Sequence, residues 1–247
     1  MRMVAKFGGT SVADAQRIRR AAEKMAEQAQ KGHQVIGVVS AQGDLTDRLL
    51  EKISAVTDIP EARESDACVS AGEQISAALV AMALQQMGLE AVSLSGWQAG
   101  LYTDSTHGNA RILALTSDRI ERELAGGKVV IVAGFQGVDA AGNITTLGRG
   151  GSDTTAVTLA AMLQADECRI YTDVDGVYEK DPRTCPEAKK YAKISYDDML
   201  ELCAGGAQVL HDRCVEAGKR YGVPFWVLSA FRDAPGTLVW DGSTELV

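Results

Sequence analysis

The stretch GRGGSDTTA, residues 148–156, sets Arg149 and Asp153 among three glycines and then runs into an apolar helical segment. One reading is a helix start, with Ser152 or Asp153 as the cap. The other is an anion cradle, in which glycines let backbone N–H groups close on a negative group where the helix dipole already favours it. Three other stretches pose the same kind of choice. In KFGGTS (6–11), Lys6 ahead of Gly8 and Gly9 can bring an ammonium and backbone donors to one phosphate, although the GxxxxGK[ST] spacing is absent. In SAQGDLTD (40–47), Ser40 and Thr46 have helix capping as their simplest role. Glu73 in SAGEQIS interrupts an apolar helix and points to water unless a cationic ligand holds it. Finally, YTDVDGVYEKDPR (171–183) carries Thr172, Asp173, Tyr178 and Arg183, a polar loop or a surface suited to a nucleotide's base, ribose and phosphates.

The elements that position these residues follow a βαβ rhythm. The strands MVAKF and VIGVVS flank a helix through Ile18, Ala22, Met25 and Ala29. Helices around 45–56 and 71–87, the strand EAVSLS, a helix at 109–124 and the run KVVIVAGF follow. Unbroken apolar strands of this kind suit a parallel sheet covered on both faces. The turn AAGN (140–143) predicts a hairpin, and a helix at 152–164 leads to the strand CRIYTDVDG. Helices near 196–203 and 206–221 and a last strand FWVLS complete one continuous α/β domain, a three-layer sandwich with a mainly parallel central sheet. Its chemistry is expected at the strand ends.

Composition narrows the partners. A chain of 247 residues, 46% hydrophobic, can bury a full core, and a formal net charge of -8 argues against unassisted binding to nucleic acid or an anionic membrane. The N-terminus reaches glycines too early for a secretory segment and no apolar run approaches a membrane span, so the cytoplasm is expected. Five cysteines without a CxxC pair predict neither a disulfide framework nor a zinc site, and His33, His107 and His211 are too scattered to ligate one metal.

Taken in order, KFGGTSV, VVSAQGDLTDRLL, SAGEQISAAL, GWQAG, THGNARI, GRGGSDTTA, YTDVDGVYEKDPR, ISYDDML, VLHDR and APGTLV resemble the amino acid kinase family and, within it, its aspartate-phosphorylating branch, from residue 3 to about 240. The resemblance implies phosphoryl transfer from ATP, entering with Mg2+ as MgATP, to the β-carboxylate of L-aspartate, at the head of lysine, methionine and threonine synthesis. It implies Lys6 and Asp153 as the catalytic pair, with Lys6 and the Gly8 and Gly9 amides on the transferring phosphoryl group and Asp153 orienting the lysine. Arg149 would hold the substrate α-carboxylate and Glu73 its ammonium, with Ser40 and Thr46 at the acceptor end. Thr172, Asp173 and Tyr178 would surround base and ribose, with Arg183 toward the phosphates. Residues 1–150 would form the acceptor half and 151–247 the nucleotide half, as a catalytic domain without ACT regulatory domains; a homodimer is expected, and a separate ACT-bearing subunit is left open.

The chain departs from the family's common GAKVLHPR by reading GAQVLHDR, so Gln208 and Asp212 stand where many members have lysine and proline. It also reads VLSAF for the common VRSSF, which puts Leu228 and Ala230 in structural rather than chemical roles. Two alternatives therefore stay open: a kinase for another carboxylate acceptor, and a weakly catalytic homologue that binds a ligand or partner.

Overall fold

The computed structural model describes residues 1–247 except Arg183, Ala207 and Gln208. β1 (Arg2–Phe7) leads through a 3-10 turn (Gly9–Val12) to α1 (Ala15–Gln30), β2 (Gln34–Val39), α2 (Leu45–Val56), α3 (Ala62–Val69), α4 (Ala71–Gln86) and β3 (Ala91–Leu94). β4 (Leu101–Thr103), β5 (Ile112–Leu115), α5 (Asp118–Ala125), β6 (Val129–Ala133), β7 (Gln136–Val138) and β8 (Ile144–Thr146) follow. The remainder is α6 (Gly151–Met162), β9 (Glu167–Thr172), β10 (Tyr191–Ser195), α7 (Tyr196–Ala204), α8 (Asp212–Tyr221), β11 (Phe225–Ser229), β12 (Thr237–Trp240) and β13 (Glu245–Leu246).

The large sheet has the order β13-β10-β12-β11-β9-β1-β2-β6-β3. From β11 through β3 every neighbouring pair is parallel, and the direction reverses at β12. Strand alternation sorts the side chains into two cores. Met3, Ala5 and Phe7 of β1 pack with Ile18, Ala22 and Met25 of α1 and with Ala77, Val80 and Leu84 of α4. Val4 points the other way, with Ile36, Val38, Val130 and Val132, against Ala156, Val157 and Ala160 of α6 and Cys214 and Val215 of α8. Each such aliphatic chain, fully withdrawn from water, contributes about 1.5–3 kcal/mol. Gly37 of β2 lets α1 close on the sheet: a Cβ there would lie 2.6 Å from Met25 Sδ. The large sheet is thus the middle of three layers, with α1 and α4 on one face and α6 and α8 on the other.

Several expectations need correction. Residues 109–124 are not one helix: Ile112–Leu115 is the strand β5, and α5 begins only at Asp118, after Thr116 and Ser117. β5 forms the edge of a second, four-stranded sheet, β5-β4-β7-β8, in which AAGN is the hairpin turn between β7 and β8. α8 starts at Asp212, not 206, and β11 is not the last strand. One apolar helical run, Ala62–Gln86, is long enough by composition to cross a bilayer, yet half of its most apolar window is buried inside the molecule. Its α4 part packs against α1, β3 and β6.

Candidate active site

Because Val4 faces α6, alternation turns Lys6 the same way, and its ammonium meets the Asp153 carboxylate at 2.6 Å with both side chains largely buried. Asp153 stands in the first turn of α6, where the helix dipole favours its charge. Neither Ser152 nor Asp153 caps this helix. The N-cap is Gly150, in the left-handed region at φ 69°, and a Cβ there would sit 2.2 Å from His211 Cβ. Ser152 instead packs under Gly134 at the end of β6, where a Cβ would lie 2.7 Å from its hydroxyl.

The loops after β1 and β2 are stitched together beside this pair. Gly43 N–H donates to Gly9 C=O at 3.0 Å, Ser40 N–H to Phe7 C=O at 3.1 Å, and a Cβ on Gly9 would lie 2.7 Å from Ala41 C=O. Gly8 lies alongside the lysine: its hypothetical Cβ would be 3.4 Å from Lys6 Nζ. The Gly8 amide donates to Tyr171 C=O at 3.3 Å. Ser11 in the same turn is buried with its hydroxyl unpartnered, a feature the sequence reading passed over.

Glu73 does not point to water. It is 3% exposed in the first turn of α4; Oε1 accepts the Ala41 N–H at 2.9 Å, and Oε2 has no partner among the described residues. Burial pushes its pKa from the ordinary 4.5 up to about 7, only partly offset by the Ala41 N–H and its own amide. Gly72 permits this approach, since a Cβ there would come within 2.8 Å of Ala41 Cβ. Ser40 and Glu73 thus meet at Ala41, and Thr46 follows in the first turn of α2. The hydroxyls of Ser40 and Thr46 cap nothing: α2 has Asp44 at its N-cap, without a side-chain bond.

Arg149 is exposed and unpaired among the described residues. With Gly150, Asp153, Val209, Leu210, His211 and Asp212 it lines a cleft of about 860 Å³. Asp212 is exposed at the start of α8, beside His211. A second cleft of about 650 Å³ shares Gly206 and Val209 with the first and is lined by Asp173, Val174, Tyr178, Pro182 and Leu202. Tyr178 donates its hydroxyl to Asp175 at 2.9 Å, and Thr172 donates to Asp173 at 3.1 Å, at the end of β9. Arg183 and Gln208 lie outside the described residues.

Two groups escaped the sequence reading. Asp66, on α3, is buried and accepts from Gly108 N–H, Thr146 N–H and Thr146 Oγ1, the last at 2.6 Å, with His107 Nδ1 at 2.9 Å. Arg213 binds Asn109 and the carbonyls of Ala110 and Leu147. The motifs THGNARI and VLHDR, which meet here, were the available signal.

The chain is similar over nearly its whole length to known proteins. The aspartokinase of Geobacillus stearothermophilus is 54% identical over 237 residues, 96% of this chain and 58% of that protein. The solved aspartate kinase from Synechocystis superposes with a TM-score of 0.87 at 46% identity, covering 98% of this chain and 40% of that one. For E. coli aspartokinase III in complex with aspartate and ADP the TM-score is also 0.87, at 30% identity, covering 98% of this chain and 65% of that one. The chain thus spans little more than half the length of the first of these relatives. The three-layer fold, the glycine turn closed over a lysine–aspartate pair and a match that extends over residues 1–229 lead to one conclusion: the chain belongs to the amino acid kinase family.

Proposed function

We propose that the chain transfers the γ-phosphoryl group of ATP to the β-carboxylate of L-aspartate, giving 4-phospho-L-aspartate and ADP. One observation carries this reading. Past the ends of β1 and β2, the glycine turn beside the buried Lys6–Asp153 pair packs on the Ala41 loop, and the Ala41 amide binds Glu73, a buried carboxylate with an unpartnered oxygen. A phosphoryl group answers the first and an amino acid's ammonium the second. The kinship with aspartokinases, one of them bound to aspartate and ADP, supports the choice of acid.

In this mechanism Glu73 takes the α-ammonium and Arg149 grips the α-carboxylate with a two-bond fork. Ser40 and Thr46 orient the β-carboxylate. Its oxygen bonds to Pγ as the bond from Pγ to the β,γ-bridging oxygen breaks, and ADP leaves with that electron pair. A carboxylate is already a nucleophile at neutral pH, so the work of the protein is in-line positioning and charge neutralisation. Lys6 and the Gly9 amide neutralise the transferring group, and Asp153 holds Lys6 in place. Thr172, Asp173 and Tyr178 surround base and ribose, with Arg183 toward the phosphates. Mg2+ would enter with ATP and would supply positive charge at the phosphates; among the described residues no group of three His, Cys, Asp or Glu side chains gathers to hold it independently.

The reading extends to a place in lysine, threonine and methionine synthesis, to the cytoplasm and to a homodimer, supported by kinship with bacterial aspartokinases alone. The test is ATP consumption across the common amino acids with hydroxylamine trapping. An aspartyl hydroxamate formed only with L-aspartate is expected. A hydroxamate from another acid would replace the acceptor, and no ADP with any of them would end the kinase reading.

A further inference from the structure

The Arg149 side chain makes no bond among the described residues, yet the backbone is held on both sides of it. Two residues before it, Leu147 C=O accepts from Arg213 Nη1, which also donates to Asn109 Oδ1 at 2.7 Å, while Arg213 Nη2 donates to Ala110 C=O at 2.8 Å. One residue after it, Gly150 lies against His211 so closely that no Cβ would fit. Between them Gly148, at φ 75°, rests on the same turn, where a Cβ would lie 3.1 Å from Asn109 Oδ1. That turn is in turn anchored on buried Asp66, through Gly108 N–H and His107.

We infer that Arg213 is a positioning residue for Arg149: its guanidinium, three hydrogen bonds wide, fixes the loop 147–150 against the wall of the nucleotide cleft. A planar fork suits this task because its donors diverge toward three separate acceptors, which a lysine ammonium on a single point cannot span. His211 and Asp212, which precede Arg213 in sequence, line the same cleft as Arg149, so the segment that carries Arg213 also borders the site it braces. The inference rests on the role proposed for Arg149.

The experiment is Arg213→Lys alone, Arg149→Ala alone and both together in the full chain, with two readouts. Steady-state kinetics is expected to show about a tenfold rise in aspartate KM for Arg213→Lys, the scale of one charged hydrogen bond, with ATP KM within about twofold. In the Arg149→Ala background the same change is expected to add almost nothing, because a residue acting through another has no effect once that other is gone. Hydrogen exchange at amides 148–151 is expected to speed up in Arg213→Lys while the central strands keep their protection. Unchanged exchange there, or an additive effect on aspartate KM in the double variant, overturns the inference. If the wild-type chain yields no aspartyl hydroxamate, the reaction assigned above fails, and the exchange readout still decides whether Arg213 holds the loop.

Discussion

In the proposed reaction Arg149 and Glu73 meet the two charges that distinguish an amino acid from a plain carboxylate, and each makes a separable prediction. Arg149→Lys is expected to raise aspartate KM at least about tenfold and to leave ATP KM nearly unchanged, since a point charge cannot reproduce a two-bond fork. Equal changes in both constants, measured by initial rates, would assign Arg149 to the nucleotide or the fold. Glu73 has a pH signature. With its pKa raised to about 7 from 4.5, the folded chain retains a proton that the unfolded chain releases in that window. Folding stability from this group is therefore full below about pH 4.5 and lost as pH rises through about 7. Glu73→Gln is expected to remove that fall and to be more stable than wild type at pH 8 by on the order of 3 kcal/mol, read from urea midpoints. Aspartate KM is expected to fall as pH climbs toward 7, because the ammonium binds only the ionised carboxylate. Sequence gave the identity of Glu73 but not its burial: the apolar face of α4 argued for outward exposure, and only the packing of Gly72 on Ala41 turned the carboxylate inward.

Among the elements, those that were legible in the sequence are the ones long enough to show a period. The unbroken runs of β1, β2 and β6 and the stripe Ile18, Ala22, Met25 in α1 leave little choice. The second sheet is built from strands of three and four residues, too short for alternation to register, and Ile112, Leu113 and Leu115 fit a helix as well as an edge strand. The role of Asp66 is equally invisible from sequence, because its partners are backbone amides 42 and 80 residues away. It ties α3 to the turn at 106–110 and to β8. Asp66→Ala leaves the amide and the hydroxyl of buried Thr146 without their acceptor, at about 1–3 kcal/mol each. A loss of about 3 kcal/mol in a denaturant titration is expected; a loss below about 1 kcal/mol would show that water replaces the carboxylate.

On the scale of the molecule, the two clefts open along the carboxyl edge of the parallel strands and share Gly206 and Val209, so nucleotide binding should brace much of the fold. MgATP at about one hundred times its Kd is expected to add about 2.7 kcal/mol, a rise in Tm of roughly 5–10 °C by scanning fluorimetry. ADP alone is expected to give a smaller rise, and no shift with either nucleotide would contradict a nucleotide site. In the large sheet, β9 to β13 lie on one side and β1, β2, β6 and β3 on the other, so the strands before and after residue 150 meet at a single seam, the β1–β9 pair, with Lys6–Asp153 spanning the two halves. That seam makes the chain suited to splitting. The exposed tip Ala140–Gly142 is a tolerant place for a break, and a cut there leaves the lysine on one polypeptide and its aspartate on the other. Neither piece holds a whole reaction centre, so phosphoryl transfer would become the signal that two separately expressed fragments have found each other.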